Sequence, residues 1–195
     1  MRTETLHFNL LDDESAIEAI ETVGKLANKN NIEWALAGGL AMILYGSERL
    51  TKDIDIIASK TLPLGSHALL KQGGVRYLVQ TSKQGVAVDW IVRNDEAGRF
   101  YQAALVEAVV IKNIPVVKPE WLVILKFIAA RTKDTDDYRF LLGCPNMVDR
   151  EKIKEKVWRI GGKETWAVMK NGLQQWYDIA DGKKSSDAGG GYIDS

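Results

Sequence analysis

The strand that most constrains this chain is Asp53 to Ser59, DIDIIAS, because it sets two aspartates one residue apart inside an apolar run. In an extended segment Asp53 and Asp55 point to one face while Ile54 and Ile56 point to the other. The apolar face must pack on a core, so the two carboxylates are held side by side on the opposite face. Like charges at that spacing repel, and a hard divalent cation, which prefers oxygen ligands, relieves the repulsion. The spacing therefore predicts a cation site.

The residues just before this strand carry a complementary pattern. Ile32 to Ala37, IEWALA, is a short apolar run suited to a buried strand, Gly38 and Gly39 allow a tight turn, and Leu40 to Tyr45 reads as a short helix. Backbone N–H groups at a glycine turn leading into a helix can approach a phosphate closely, and the helix dipole favours the negative charge. A phosphate site is thus expected ahead of the carboxylates.

Ala37, Gly38, Gly39, Asp53 and Asp55 together resemble the signature of the nucleotidyltransferase superfamily that includes DNA polymerase β: an apolar residue, Gly-Gly or Gly-Ser, a gap, then Asp-x-Asp. The form Arg49, Thr51, Asp53, Asp55 looks especially like the small bacterial members, among them AbiEii-type toxins and antibiotic-modifying enzymes. Two departures stand out: Leu40 follows the glycines where many relatives carry a hydroxyl residue, and the gap to Asp53 is long.

The resemblance implies an α+β (α/β) fold, a mixed-sheet nucleotidyltransferase core followed by a small helical C-terminal region. It implies transfer of a nucleoside monophosphate from a nucleoside triphosphate, ATP or another, to a hydroxyl acceptor. Asp53, Asp55 and a third carboxylate would hold Mg²⁺, two ions, or Mn²⁺ in their place. Asp89, which interrupts the apolar run GVAVDWIV from Gly85 to Val92, is the candidate third ligand and base, since an unpaired charge in such a strand would be costly. Gly38, Gly39, Ser47, Arg49 and Thr51 would contact the nucleotide. A second likeness to AbiEii-type proteins lies in KFIAARTKDTDDYRFL, with Lys126, Arg131, Lys133, Asp134, Asp137 and Leu141 in the matching places. Lys126 and Lys133 are the candidates there for binding the triphosphate tail. Asp134 and Asp137 are expected to cap the next helix or pair with Arg131 or Arg139.

The acceptor is left as a class: a tRNA end, a protein hydroxyl or an antibiotic. A cognate toxin or antitoxin partner is also implied. The competing readings are a non-catalytic nucleotide- or partner-binding protein of the same fold, and a structural calcium site; the second does not account for Gly38 and Gly39.

Charge narrows the partners. Lys plus Arg and Asp plus Glu each number 26 in 195 residues, so no global basic excess exists to hold extended duplex DNA by counterion release. The basic residues Lys126, Arg131, Lys133 and Arg139 leave room for a local positive groove. The hydrophobic content of 46% is that of an ordinary globular chain. Cys144 is the sole cysteine, which rules out an intramolecular disulfide and fits a reducing cytoplasm. No run approaches the roughly 18 apolar residues of a membrane span, and the N-terminal residues lack a leader's apolar core, so neither export nor insertion is expected. His7 and His67 are read as surface residues.

The rest of the chain is read as a catalytic domain over 1–117, a helical region over 118–181 and a disordered Gly/Ser-rich tail over 182–195. Asp12 to Ser15 should cap a packing helix reaching Ala27. A hairpin is expected from Val75 to Gln80 and Val86 to Val92, and two more strands from Ala103 to Ile111 and Ile114 to Val117, the last confined to an edge by Pro115. Helices should then run from Pro119 towards Arg131, from Asp149 to Ile160 and from Lys163 to Ala180, with Gly161 and Gly162 between the last two. Trp121, Trp158, Trp166 and Trp176 are assigned to a small helical core, with base stacking as the alternative.

Overall fold

A computed structural model describes residues 11–129 and 135–184. The chain divides into two compact units, Met1–Val117 and Lys118–Ser195.

The first unit is an α+β fold on one mixed seven-stranded sheet. Its elements are α1 (Asp13–Lys29), β1 (Trp34–Ala37), α2 (Gly38–Leu44), β2 (Asp53–Ala58), β3 (Ala68–Leu69), β4 (Val75–Gln80), β5 (Gly85–Ile91), α3 (Gly98–Val106), β6 (Val109–Ile111) and β7 (Ile114–Val116). The strands lie in the order β3-β4-β5-β2-β1-β7-β6. Pairs β2/β5 and β1/β7 are parallel and the remaining pairs antiparallel.

Helix α1 begins where Asp12 accepts a bond from the Ser15 amide at 2.9 Å, as its N-capping chemistry predicts. Its inward residues, Ala16, Ala19, Ile20, Val23 and Ala27, are buried at helical spacing. Gly24 sits under the Trp34 ring, which a Cβ would strike at 2.6 Å.

Register fixes what the sheet does. Leu36, Ile56 and Trp90 stand opposite one another on β1, β2 and β5, all three fully buried. The next row is Ala37, Asp55, Asp89 and Arg76, on β1, β2, β5 and β4. Because side chains alternate, a slip of one residue would exchange these rows and push charge into the core.

One expectation is corrected here. Residues 103–106 belong to helix α3 and not to a strand; Phe100, Tyr101, Ala104 and Leu105 are its buried hydrophobic residues, one, three and four residues apart. The Val and Ile content of the following VEAVVI drew the strand boundary too early, and the strand there is only Val109–Ile111.

The second unit is helical: α4 (Pro119–Ala129), α5 (Thr135–Gly143) and α6 (Arg150–Ala180). Six consecutive residues of α4, Trp121 to Lys126, are buried. Tyr138 stacks on Trp176 at 4.3 Å between ring centroids, and the Lys156 ammonium lies 5.0 Å from the Trp121 ring. These contacts give Trp121 and Trp176 core roles, while Trp158 is 46% exposed. Helix α6 is bent at Gly162, whose φ of +79° is open to glycine and strained for other residues. The two helices expected on either side of the Gly pair are thus joined end to end through it. Asp149 caps α6 through the Glu151 and Lys152 amides.

Candidate active site

Asp53 and Asp55 leave β2 on its half-buried side, and Ile54 and Ile56 leave it on the fully buried side. Parallel pairing of β2 with β5 sets Asp89 directly opposite Asp55, so the three acids expected to act together do share one sheet face. Among the described residues, no three Asp, Glu, His or Cys side chains form a ready metal cage.

The same face holds a residue that sequence reasoning missed. Arg76 stands opposite Asp89 across the β4/β5 ladder and grips it with two bonds, Nε to Oδ1 at 2.5 Å and Nη2 to Oδ2 at 2.8 Å. The same Nη2 reaches Asp53 Oδ2 at 3.4 Å. Hydrogen bonding to Asp89 raises the Arg76 pKa above its ordinary value; the fields of Asp89, Asp53 and Asp55 add to this and burial opposes it. Asp89 is thereby buried, at 6% exposure, although it lies on the polar face. Lys52, Asp53, Arg76 and Ala87 line a recess of about 170 Å³ beside the pair.

The donor set fits a hard divalent cation in kind, three carboxylates on neighbouring strands, and Arg76 is the positive charge that stands among them. Asp53, Asp55 and Asp89 are the residues that could hold such an ion.

Gly38 and Gly39 open α2 at the end of β1. Gly38 has φ +56°, and a Cβ on it would collide with the Asp55 carboxylate; a Cβ on Gly39 would stand 2.8 Å from Thr51 Oγ1. Glycine is required at position 38 on both counts, conformation and space. The turn therefore seats the carboxylate of β2 directly against the start of the helix.

The other expected nucleotide ligands divide. Thr51 is buried, and its hydroxyl donates to the Asp53 carbonyl at 3.0 Å, fastening the entry to β2. Arg49 lies beside Gly39, its guanidinium carbon 3.5 Å from where a Cβ would be. Ser47 sits in the turn after α2, where its Oγ accepts from the Arg49 amide at 3.4 Å. Lys126 belongs to the second unit, where it is buried and bonds to Asp137 at 2.5 Å. Asp137 pairs with Lys126, and Arg139 pairs with Asp136 at 3.1 Å. Lys133, with Arg131 and Asp134, lies outside the described residues.

No helix among the described residues is long and apolar enough to cross a membrane. No family model and no curated protein matches the chain. Among solved structures it is similar to the crystal structure of an antigenic nucleotidyltransferase-like protein from Paracoccidioides brasiliensis, at 15% identity and a TM-score of 0.46, over 89% of this chain and 94% of that one. That likeness is too slight to carry an argument, so function rests on the geometry of this chain.

Proposed function

We propose that the chain is a metal-dependent nucleotidyltransferase that moves a nucleoside monophosphate from a nucleoside triphosphate to a hydroxyl acceptor. The observation that supports this best is the shared face of Asp53, Asp55 and Asp89, with glycine-only backbone at Gly38 against Asp55.

Asp53, Asp55 and Asp89 would hold Mg²⁺ or Mn²⁺, which supplies Lewis-acid stabilisation of the triphosphate and the attacking oxygen. Asp89, the most enclosed of the three, is the base that takes the acceptor's proton as its oxygen bonds to the α-phosphorus and pyrophosphate departs. Backbone N–H groups at Gly38 and Gly39 face the phosphates, and Arg49 beside Gly39 adds a cation for the same charge. Thr51 orients β2 from below. Lys126, sealed against Asp137, is given a packing role in place of the triphosphate contact.

The proposed acceptors are a tRNA end, a protein hydroxyl or an antibiotic, and the AbiEii-like pattern favours a toxin-type enzyme working on RNA or protein. Mg²⁺-dependent binding of ATP, CTP, GTP and UTP by calorimetry, on the wild type and Asp55→Asn, tests the site. Binding lost in the variant is the expected result; binding unaffected by Asp55→Asn removes the carboxylates from the account. Transfer of label from the bound nucleotide to total tRNA, to cell protein or to a drug panel then identifies the acceptor.

One observation favours a second reading. Arg76 already ion-pairs with Asp89 and Asp53, as a non-catalytic nucleotide- or partner-binding protein of this fold would have it. Absence of turnover with every nucleotide, alongside a stable complex with a partner protein, would select that reading.

A further inference from the structure

We propose that Arg76 is the resident counter-cation of the carboxylate face, that its guanidinium and a divalent cation occupy that face in mutual exclusion, and that Arg76 therefore sets the metal affinity of the site. The inference rests on the metal-dependent reading above and adds the residue that controls it.

Three acids on adjacent strands repel one another and would destabilise the sheet if nothing neutralised them. Arg76 answers that repulsion from within the chain. Its planar fork matches the Asp89 carboxylate, both of whose oxygens are engaged, and one nitrogen extends to Asp53. A cation drawing its oxygens from Asp53, Asp55 and Asp89 would have to take carboxylate oxygens from Arg76 and would meet its positive charge at close range.

Displacement is open to Arg76. Its side chain is 29% exposed, against 8% for that of Asp89, and the recess that it lines with Lys52 opens beside it. Its strand, β4, lies near the sheet's edge with only the two-residue β3 beyond. An arginine placed solely to rigidify the fold would not need to stand opposite the one acid that completes the carboxylate row.

Titration with Mn²⁺ alone, without nucleotide, decides the matter, with bound ion read by loss of the free-Mn²⁺ magnetic resonance signal and thermal unfolding followed in parallel. Arg76→Gln should bind Mn²⁺ about tenfold or more tightly than the wild type, because the competing charge is gone. It should also unfold at a lower temperature in chelator and regain more on adding Mn²⁺. Arg76→Lys, which keeps the charge and loses the fork, should lie between the two and serves as the folded control. Equal or weaker Mn²⁺ affinity in folded Arg76→Gln overturns the inference and leaves the nucleotidyltransferase reading in place. Failure of both the wild type and the variants to bind Mn²⁺ overturns both.

Discussion

Lys126 meets Asp137 inside the second unit at 2.5 Å, and Arg76 meets Asp89 on the sheet of the first unit at the same distance. The first contact is buried, its two side chains 8% and 5% exposed. The second is one guanidinium shared among acids, two in contact and a third acting through its field, with Asp53 38% exposed. A sealed pair has little to offer a ligand, since opening it would expose a buried charge to the loss of its partner. An open contact that water reaches can exchange its cation for another. Distance alone does not separate structural from functional ion pairs; access to water does.

The largest effect should come from the sealed pair. Asp137→Ala takes from the buried Lys126 ammonium the carboxylate it meets at 2.5 Å and should cost about 3–5 kcal/mol in urea unfolding, whereas Lys126→Met with Asp137→Leu should recover most of that loss. A cost under about 1 kcal/mol would break the contrast and return Lys126 to the triphosphate role that its sequence pattern implies.

On the open side sterics should outweigh charge. Gly38→Ala forces a Cβ into the Asp55 carboxylate at a positive φ and should lose about 1–3 kcal/mol; an unchanged melting temperature would show that β2 and α2 can part there without penalty.

Tyr177 sharpens the sealed side. Among the described residues its buried hydroxyl has no hydrogen-bond partner, and burial pushes its pKa up to about 12 from 10.0, with Arg150 opposing. The folded state holds this proton more tightly than the unfolded state, so the contribution is intact below about pH 10 and lost as pH rises towards about 12. Tyr177→Phe should stabilise by up to about 1 kcal/mol at neutral pH and flatten that alkaline loss; a steeper alkaline transition in the variant would contradict it.

The smallest change is expected for Asp53→Asn, within about 0.5 kcal/mol of the wild type, since Asp53 is the partly exposed member of a set of like charges and its contact with Arg76 is long, at 3.4 Å. A loss comparable to Asp137→Ala would mean that the open face is as structural as the sealed pair.

Much of this face was legible in the chain. Alternation alone put Asp53 and Asp55 on one side of β2, and the apolar setting of Asp89 marked it as a residue with a reason to be there. Arg76 was missed because VRYLVQ reads as an ordinary edge strand, in which an arginine at an alternate position normally faces water. Its partner depends on register, yet a signal existed: counting back from the turn that joins Gln80 to Gly85 brings position 76 opposite 89. The burial of Lys126 escaped the sequence for the converse reason. No periodicity announces that six consecutive residues of α4 are buried, so the sequence could not say which way its ammonium points. The glycine pair was found, with only half its cause: room for a ligand was inferred, while contact with Asp55 depends on strand pairing over a span that local pattern does not encode.

The hairpin that carries Arg76 also bears on how the site assembles. Arg76 and Asp89 are 13 residues apart and meet across a local antiparallel ladder, whereas Asp55 and Asp89 meet only when β2 and β5 pair in parallel across the intervening hairpin. Local pairings close at lower entropic cost than distant ones. The contact that answers the charge of the third carboxylate therefore carries a lower closure cost than the pairing that sets that carboxylate beside Asp55.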